Sequence, residues 1–177
     1  MFKHKILLTE EQIQRRVLEI ADRLNLDYAD RTLDIVCVLK GGIVFLSDLI
    51  RLLHIPVRIH FLRISSYGNE TQNAGTLNLH FSYVADLENR HVLLLEDILD
   101  TGITMDYLLK HLTEQKPASM KICVLLDKPY RRKVDIRAEY VGFEIPDHFV
   151  IGYGLDYQEL GRNLRYLAIL DPSEYPR

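Results

Sequence analysis

Apolar runs too short to be typical helices recur along this chain, with helix-periodic stretches between them. "LDIVCVL" (33–39), "HVLLLEDI" (91–98) and "SMKICVLLD" (119–127) are rich in leucine and β-branched residues. Runs of this length read as strands buried on both faces. Between them, "IVFLSDLIRLLH" (43–54) reads as a helix, and Met105, Leu108, Leu109 and Leu112 follow the i, i+3, i+4, i+7 spacing of one helix face. "IPVRIHFLRIS" alternates at Ile55, Val57, Ile59 and Phe61, which is strand periodicity. Strands alternating with helices over 33–127 predict βαβ units, hence an α/β fold with a mainly parallel twisted sheet flanked by helices.

The flanks are different in kind. Thr9 to Gln12 reads T-x-x-Q, a capping box, and Ile13, Val17, Ile20, Ala21 and Leu24 follow at helical spacing. "YVGFEI", "FVIGYGLD" and "RYLAIL" read as short β segments at the other end. The N-terminal helix and this β-rich tail are expected to form a smaller second layer. No repeat, low-complexity tract or linker divides the 177 residues, so a single domain is expected.

Composition serves mainly to exclude. The net charge of −3 gives no strong basic field for nucleic acid. Cys37 and Cys123 sit inside apolar runs and read as buried free thiols suited to a reducing cytosol. The seven histidines lack ligand spacing, and neither HExxH nor CxxC occurs, so a His/Cys metal site is not expected. The start, "MFKHKILLTEEQIQ", returns to charge after three apolar residues; neither a signal peptide nor a membrane span is expected.

In open α/β sheets ligands bind beyond the carboxyl ends of the strands. Four unusual groups fall at such ends: Lys40-Gly41-Gly42, Glu96-Asp97 with Asp100-Thr101-Gly102-Ile103-Thr104, Lys128, and Asp156 with Arg162. Each has a bland explanation. Gly-Gly is a turn, Thr101 or Thr104 is an ordinary helix cap, Lys128 heads a solvated run "KPYRRK", and Arg162 is a surface charge. Their shared position favours one common site.

The turn at 101–104 enters a helix, where unpaired N–H groups and the positive dipole end suit a phosphate. Three carboxylates beside a phosphate make sense only if they bind something else. Ribose hydroxyls are one such partner and Mg2+ is another. Neither GxxxxGK[ST] nor a complete GxGxxG occurs, which argues against a P-loop nucleotidase or a dinucleotide enzyme. The polar segment from Ser65 to about Ser82 reads from composition as a surface loop, with a lid as the alternative.

"VLLLEDILDTGIT" closely resembles the phosphoribosyl-diphosphate (PRPP) motif of type I phosphoribosyltransferases. "VLKGG", "ISSYGNET", "LLDKP" and "VGFEIPDHFVIGYGLDYQELGRNL" resemble, in order, the loops of the hypoxanthine-guanine family within that class. The resemblance implies the type I phosphoribosyltransferase fold, with a small hood from about 1–30 and 140–177 and a lid over about 65–82 that begins at Ser66 and Tyr67. It implies transfer of 5-phosphoribosyl from PRPP to N9 of hypoxanthine or guanine, giving IMP or GMP and pyrophosphate in purine salvage.

Roles follow by the same resemblance. Glu96 and Asp97 would hold the ribose hydroxyls and Mg2+, and Asp156 a second Mg2+ through water. Asp100 would be the general base. Thr101, Gly102, Ile103 and Thr104 would cradle the 5′-phosphate. Lys40, Gly41 and Arg162 would meet pyrophosphate, in a loop, Leu39-Lys40-Gly41, where relatives often carry a non-proline cis peptide. Lys128, Phe149 and Val150 would take the purine, beside Asp156. Two positions depart from the pattern: Ile103 stands where some relatives carry a basic residue, and Gly161 where a larger one is frequent. A cytoplasmic homodimer or homotetramer is expected, with no nucleic-acid or membrane partner. Open rivals are another acceptor base, such as xanthine or a pyrimidine, and an RNA-binding regulator on the same fold.

Overall fold

The three apolar runs lie side by side. In the computed structural model, which describes residues 3–63 and 86–174, they become β2 (Leu33–Leu39), β4 (His91–Leu99) and β5 (Ser119–Asp127). With β3 (Val57–Arg63) and β6 (Tyr140–Glu144) they form a five-stranded parallel sheet in the order β3-β2-β4-β5-β6.

Side-chain alternation explains why the runs are apolar throughout. Leu33, Ile35 and Cys37 of β2, Leu93 and Leu95 of β4, and Cys123 and Leu125 of β5 join one core. That core is closed by α1 (Glu10–Asp27) and α2 (Ile43–Ile50). Val36 and Val38, Val92 and Leu94, and Ile122 and Val124 point the other way, into a second core with Met105, Leu108 and Leu112 of α3 (Ile103–Thr113). A fully buried leucine such as Leu93 or Leu94 contributes roughly 1.5–3 kcal/mol, which favours apolar residues along most of each run. Cys37 and Cys123 are free and buried; burial pushes the Cys37 thiol up to about 12.

The capping box forms. Gln12 N donates to Thr9 Oγ1 at 3.3 Å, and Thr9 N donates to Gln12 Oε1 at 2.8 Å. The helix it starts enters a core that holds residues of both sheets, Val150 and Leu167 of the small one included. Its buried stripe is Ile13, Val17, Ile20, Ala21 and Leu24, in one cluster with Leu33, Ile35, Leu93 and Cys123 of the main sheet. The small antiparallel sheet takes the strand before that helix: β1 (His4–Leu8) pairs β8 (Leu167–Leu170), which pairs β7 (Val150–Ile151). Among the described residues, no helix is long and apolar enough to cross a membrane. Ser66 and Tyr67, expected to begin a lid, lie outside the described residues.

Candidate active site at the strand ends

β4 carries the carboxylates. Glu96 and Asp97 sit near its C-terminal end, half-buried, and Asp100 follows the strand. Burial, and then the adjacent Asp97, push the Glu96 carboxyl to about 8. Burial likewise raises Asp97 to about 6, with Arg162 opposing and Asp156 adding to the rise. Two crowded acids held this way favour a proton or a cation. Among the described residues, no group of three or more His, Cys, Asp or Glu could by itself hold a metal ion. A hard divalent ion that takes one or two protein carboxylates and fills the rest of its shell with water and substrate oxygens fits this donor set.

The turn after β4 is built around Gly102. It has φ of +83° and holds the cap position of α3 without a side-chain bond, while Thr101 Oγ1 accepts from Ile103 N at 3.5 Å. A Cβ on Gly102 would lie 2.7 Å from Ile136 Cγ2 and 2.9 Å from Val134 Cγ2. The backbone therefore packs against residues 134–136 as only glycine can. Thr101, Gly102 and Thr104, with Glu96, Ile98, Leu99, Asp100 and Met105, line a cavity of about 210 Å³. Ile103 opens α3 and is exposed.

The neighbouring strand end comes within contact distance. After β2 the Leu39–Lys40 peptide is cis, and Gly41 lies against the acids: a Cβ there would sit 1.9 Å from Asp97 Oδ2. On the other side a Cβ on Gly154 would sit 2.2 Å from the Gly41 carbonyl oxygen. Residue 41 is thus held between β4 and the loop after β7. That loop carries Arg162, which pairs with Asp156 at 2.8 Å and donates to the Gly154 carbonyl at 2.8 Å. Lys40 Nζ meets Glu159 at 2.7 Å.

A third group lines up beyond β5. Lys128 is buried, and its Nζ donates to the His148 carbonyl at 2.7 Å and lies 3.5 Å from Asp147. Phe149 is half-exposed and meets Tyr157 edge-on at 5.6 Å, and Val150 is buried beside it. Asp100 pairs with Arg131 at 3.1 Å, and Arg131 reaches Asp147 at 3.2 Å.

Direct contacts link the described candidates within groups. Asp97, Gly41 and Gly154 touch, and Gly154 leads to Arg162 and Asp156. Lys40 connects to Arg162 through Glu159, and Asp100 connects to Lys128 through Arg131 and Asp147. Four residues that sequence reasoning passed over belong here: Arg131, Arg132, Asp147 and Glu159. The run "KPYRRK" reads as a solvated face, and Tyr130 does stand out in solvent. Arg132 turns inward instead, with a side chain 14% exposed. The available signal was Pro129, which starts the one-turn 3-10 helix Pro129–Arg131 and so reverses the chain just before residue 132.

The phosphoribosyl transferase domain family matches residues 4–158. A hypoxanthine-guanine phosphoribosyltransferase of Bacillus subtilis is 43% identical over 178 residues, 99% of each chain. One from Aquifex aeolicus is 46% identical over 163 residues, 92% of each. Among solved structures, a hypoxanthine phosphoribosyltransferase of Staphylococcus aureus matches with a TM-score of 0.91 at 44% identity, covering 99% of this chain and 95% of the other. A hypoxanthine-guanine phosphoribosyltransferase of Bacillus anthracis, with HEPES in its active site, matches at 0.89 and 43% identity, covering 97% and 100%.

Proposed function

The chain belongs to the phosphoribosyltransferase family, within its hypoxanthine-guanine branch, and from that membership we propose that it makes purine nucleotides by salvage. It transfers 5-phosphoribosyl from PRPP to N9 of hypoxanthine or guanine, releasing pyrophosphate and IMP or GMP. The observation that carries this reading is the contact of Gly41 with Asp97 and of Gly154 with Gly41. Those contacts bring a phosphate-suited turn, crowded carboxylates and two cations to one place, which is what a phosphorylated ribose bearing a diphosphate requires.

The roles follow the chemistry of each group. Thr101, Gly102, Ile103 and Thr104 offer N–H and hydroxyl donors to the 5′-phosphate at the start of α3. Glu96 and Asp97 accept from the ribose hydroxyls and would hold Mg2+, and Asp156 would help to hold a second. Mg2+ held there would supply positive charge to offset these acids and the growing charge on pyrophosphate. Lys40, the Gly41 backbone and Arg162 take the same leaving group as the C1′–O bond breaks. Positive charge that develops on the ribose is favoured by the nearby carboxylates. Asp100 accepts the purine proton as N9 bonds to C1′. Lys128 donates to the purine O6, Phe149 covers the ring, and Val150 meets its edge.

A panel of PRPP and Mg2+ with hypoxanthine, guanine and xanthine tests the reading. Pyrophosphate release with neither hypoxanthine nor guanine would sink it, and release with xanthine alone would move the chain to another acceptor. The proposal places the enzyme in the cytoplasm as a single domain and as a homodimer or homotetramer. By the family resemblance, segments of about 1–30 and 140–177 would form a small hood. Light scattering on the purified chain reads the assembly directly.

A further inference from the structure

An anion cradle made of backbone works only if its N–H groups point inward. In a trans peptide the carbonyl oxygen of one residue and the N–H of the next point in opposite directions. Whatever grips a carbonyl from one side therefore aims the following N–H to the other side.

Two successive carbonyls of the turn after β4 are gripped from the 128–133 segment. The Asp100 carbonyl accepts a hydrogen bond from Arg132 Nη1, and the Thr101 carbonyl accepts from Lys133 N at 2.9 Å. The same Arg132 nitrogen donates to the Leu99 carbonyl at 3.0 Å, where Lys128 N also donates at 2.9 Å. The N–H groups of Thr101 and Gly102 consequently face away from segment 128–133. The cavity bounded by Glu96, Asp100, Thr101, Gly102 and Thr104 includes no residue of that segment in its lining.

Of the two grips, only Arg132 is a side chain. Its other nitrogen pairs with Asp127, and both side chains are largely enclosed, at 14% and 16% exposed. The Asp127 pair fixes the plane of the guanidinium, so its other edge has one direction in which to donate. Its Cδ lies 3.0 Å from where a Cβ on Gly102 would stand, so the methylene stem presses on the turn as well.

The geometry points to Arg132 as a positioning residue for 5′-phosphate recognition. It never touches the phosphate. It holds the Asp100–Thr101 peptide so that an N–H, and not a carbonyl, meets the anion. This rests on the proposed function, because the phosphate seat at 101–104 is part of that reading.

The test compares two anionic ligands by calorimetry in excess Mg2+: GMP, whose phosphate would sit in this turn, and pyrophosphate, which would sit on Lys40 and Arg162. Arg132→Gln is expected to weaken GMP by roughly ten- to a hundred-fold, the range for a hydrogen bond to a charged group. Pyrophosphate affinity should hold within about two-fold, as expected of an independent subsite. Arg132→Lys keeps the charge and the Asp127 partner but cannot hold the plane, so its GMP loss should be intermediate. If Arg132→Gln does not fold, Arg132→Lys carries the same comparison. Equal weakening of both ligands, or an unchanged GMP affinity, overturns the inference. A wild-type protein that binds neither ligand overturns the proposed function itself.

Discussion

Lys40 Nζ lies 2.7 Å from a Glu159 carboxylate oxygen, and the same oxygen is 3.5 Å from Arg162 Nη2. Glu159 thus touches both cations assigned to pyrophosphate. It sits on a tight turn closed by the Tyr157–Leu160 bridge, with φ of +64°. Its carboxyl is held below the usual range, first by the Lys40 hydrogen bond. A carboxylate on two phosphate-binding cations competes with the phosphate. Glu159→Gln should therefore tighten pyrophosphate binding, by about two- to five-fold since exposed ion pairs are weak. Calorimetry at low salt reads this, and weaker binding in the variant would mean that Glu159 orders the cations and does not compete for them.

Asp100 follows β4 within the site, and its side chain pairs with exposed Arg131 at 3.1 Å. Asp100→Asn keeps the shape and removes the proton acceptor. It should lower kcat by about 10²–10⁴-fold while PRPP affinity changes little. Steady-state rates and PRPP binding on one preparation separate these effects. A kcat near wild type removes Asp100 from its role.

Lys128 is the buried cation of the purine side. It is anchored by the His148 carbonyl and sits within reach of Asp147. Lys128→Ala should raise KM for hypoxanthine by roughly ten-fold or more, the worth of one charged hydrogen bond, and spare KM for PRPP. Equal rises in both would assign Lys128 to general architecture.

Much of this was legible in the sequence for identifiable reasons. β2, β4 and β5 are apolar on both faces, so their runs stand out, and the Thr9–Gln12 cap and the Met105–Leu112 face follow local rules. The strand-end position of Glu96, Asp97 and Asp100 came from the same reading. What stayed hidden is long-range. β1 pairs β8 across most of the chain, and no local pattern carries that register. Amphipathicity says that a face of α1 is buried but not against what, and its cluster holds residues of both sheets. Arg132 looked solvated because charge-run composition cannot reveal a 3-10 turn that folds one member back onto Asp127 and the Asp100 carbonyl. Glu159 lay in plain sight, but its two cation partners meet only in three dimensions.

Glu96 and Asp97 make stability depend on pH and metal together. Their ordinary values are 4.5 and 3.8, and burial raises them to about 8 and about 6. A raised acid favours the protonated folded state. The stability it contributes is fully present below pH 4.5 for Glu96 and is lost as pH rises through about 8. After chelation, the melting temperature should fall between pH 6 and 9. Mg2+ in millimolar excess should restore more of it at the upper end, where both acids are ionised and compete for a cation. An equal Mg2+ effect at both ends would separate the acid pair from the metal.

Asp34 provides the opposite sign at the opposite end of the sheet. It lies near the start of β2, is fully buried, and accepts from Arg58 at 3.1 Å and Arg90 at 3.1 Å; His60 lies 2.8 Å away. Burial alone would raise its carboxyl. Hydrogen bonds from His60 and Arg90, with the charge of Arg58, outweigh that and hold it below the ordinary range. A depressed acid contributes stability that is present above its unfolded value and lost as pH falls through the folded one. Arg58 and Arg90 keep partial access to water, so Asp34→Asn should cost about 1–3 kcal/mol at neutral pH. The difference between wild type and variant should shrink below pH 3.8, the ordinary value for this group, and Mg2+ should not alter it. Urea unfolding at neutral and acid pH checks both statements, and a gap that widens in acid would show that the Asp34 carboxylate is not what holds β2, β3 and β4 together there.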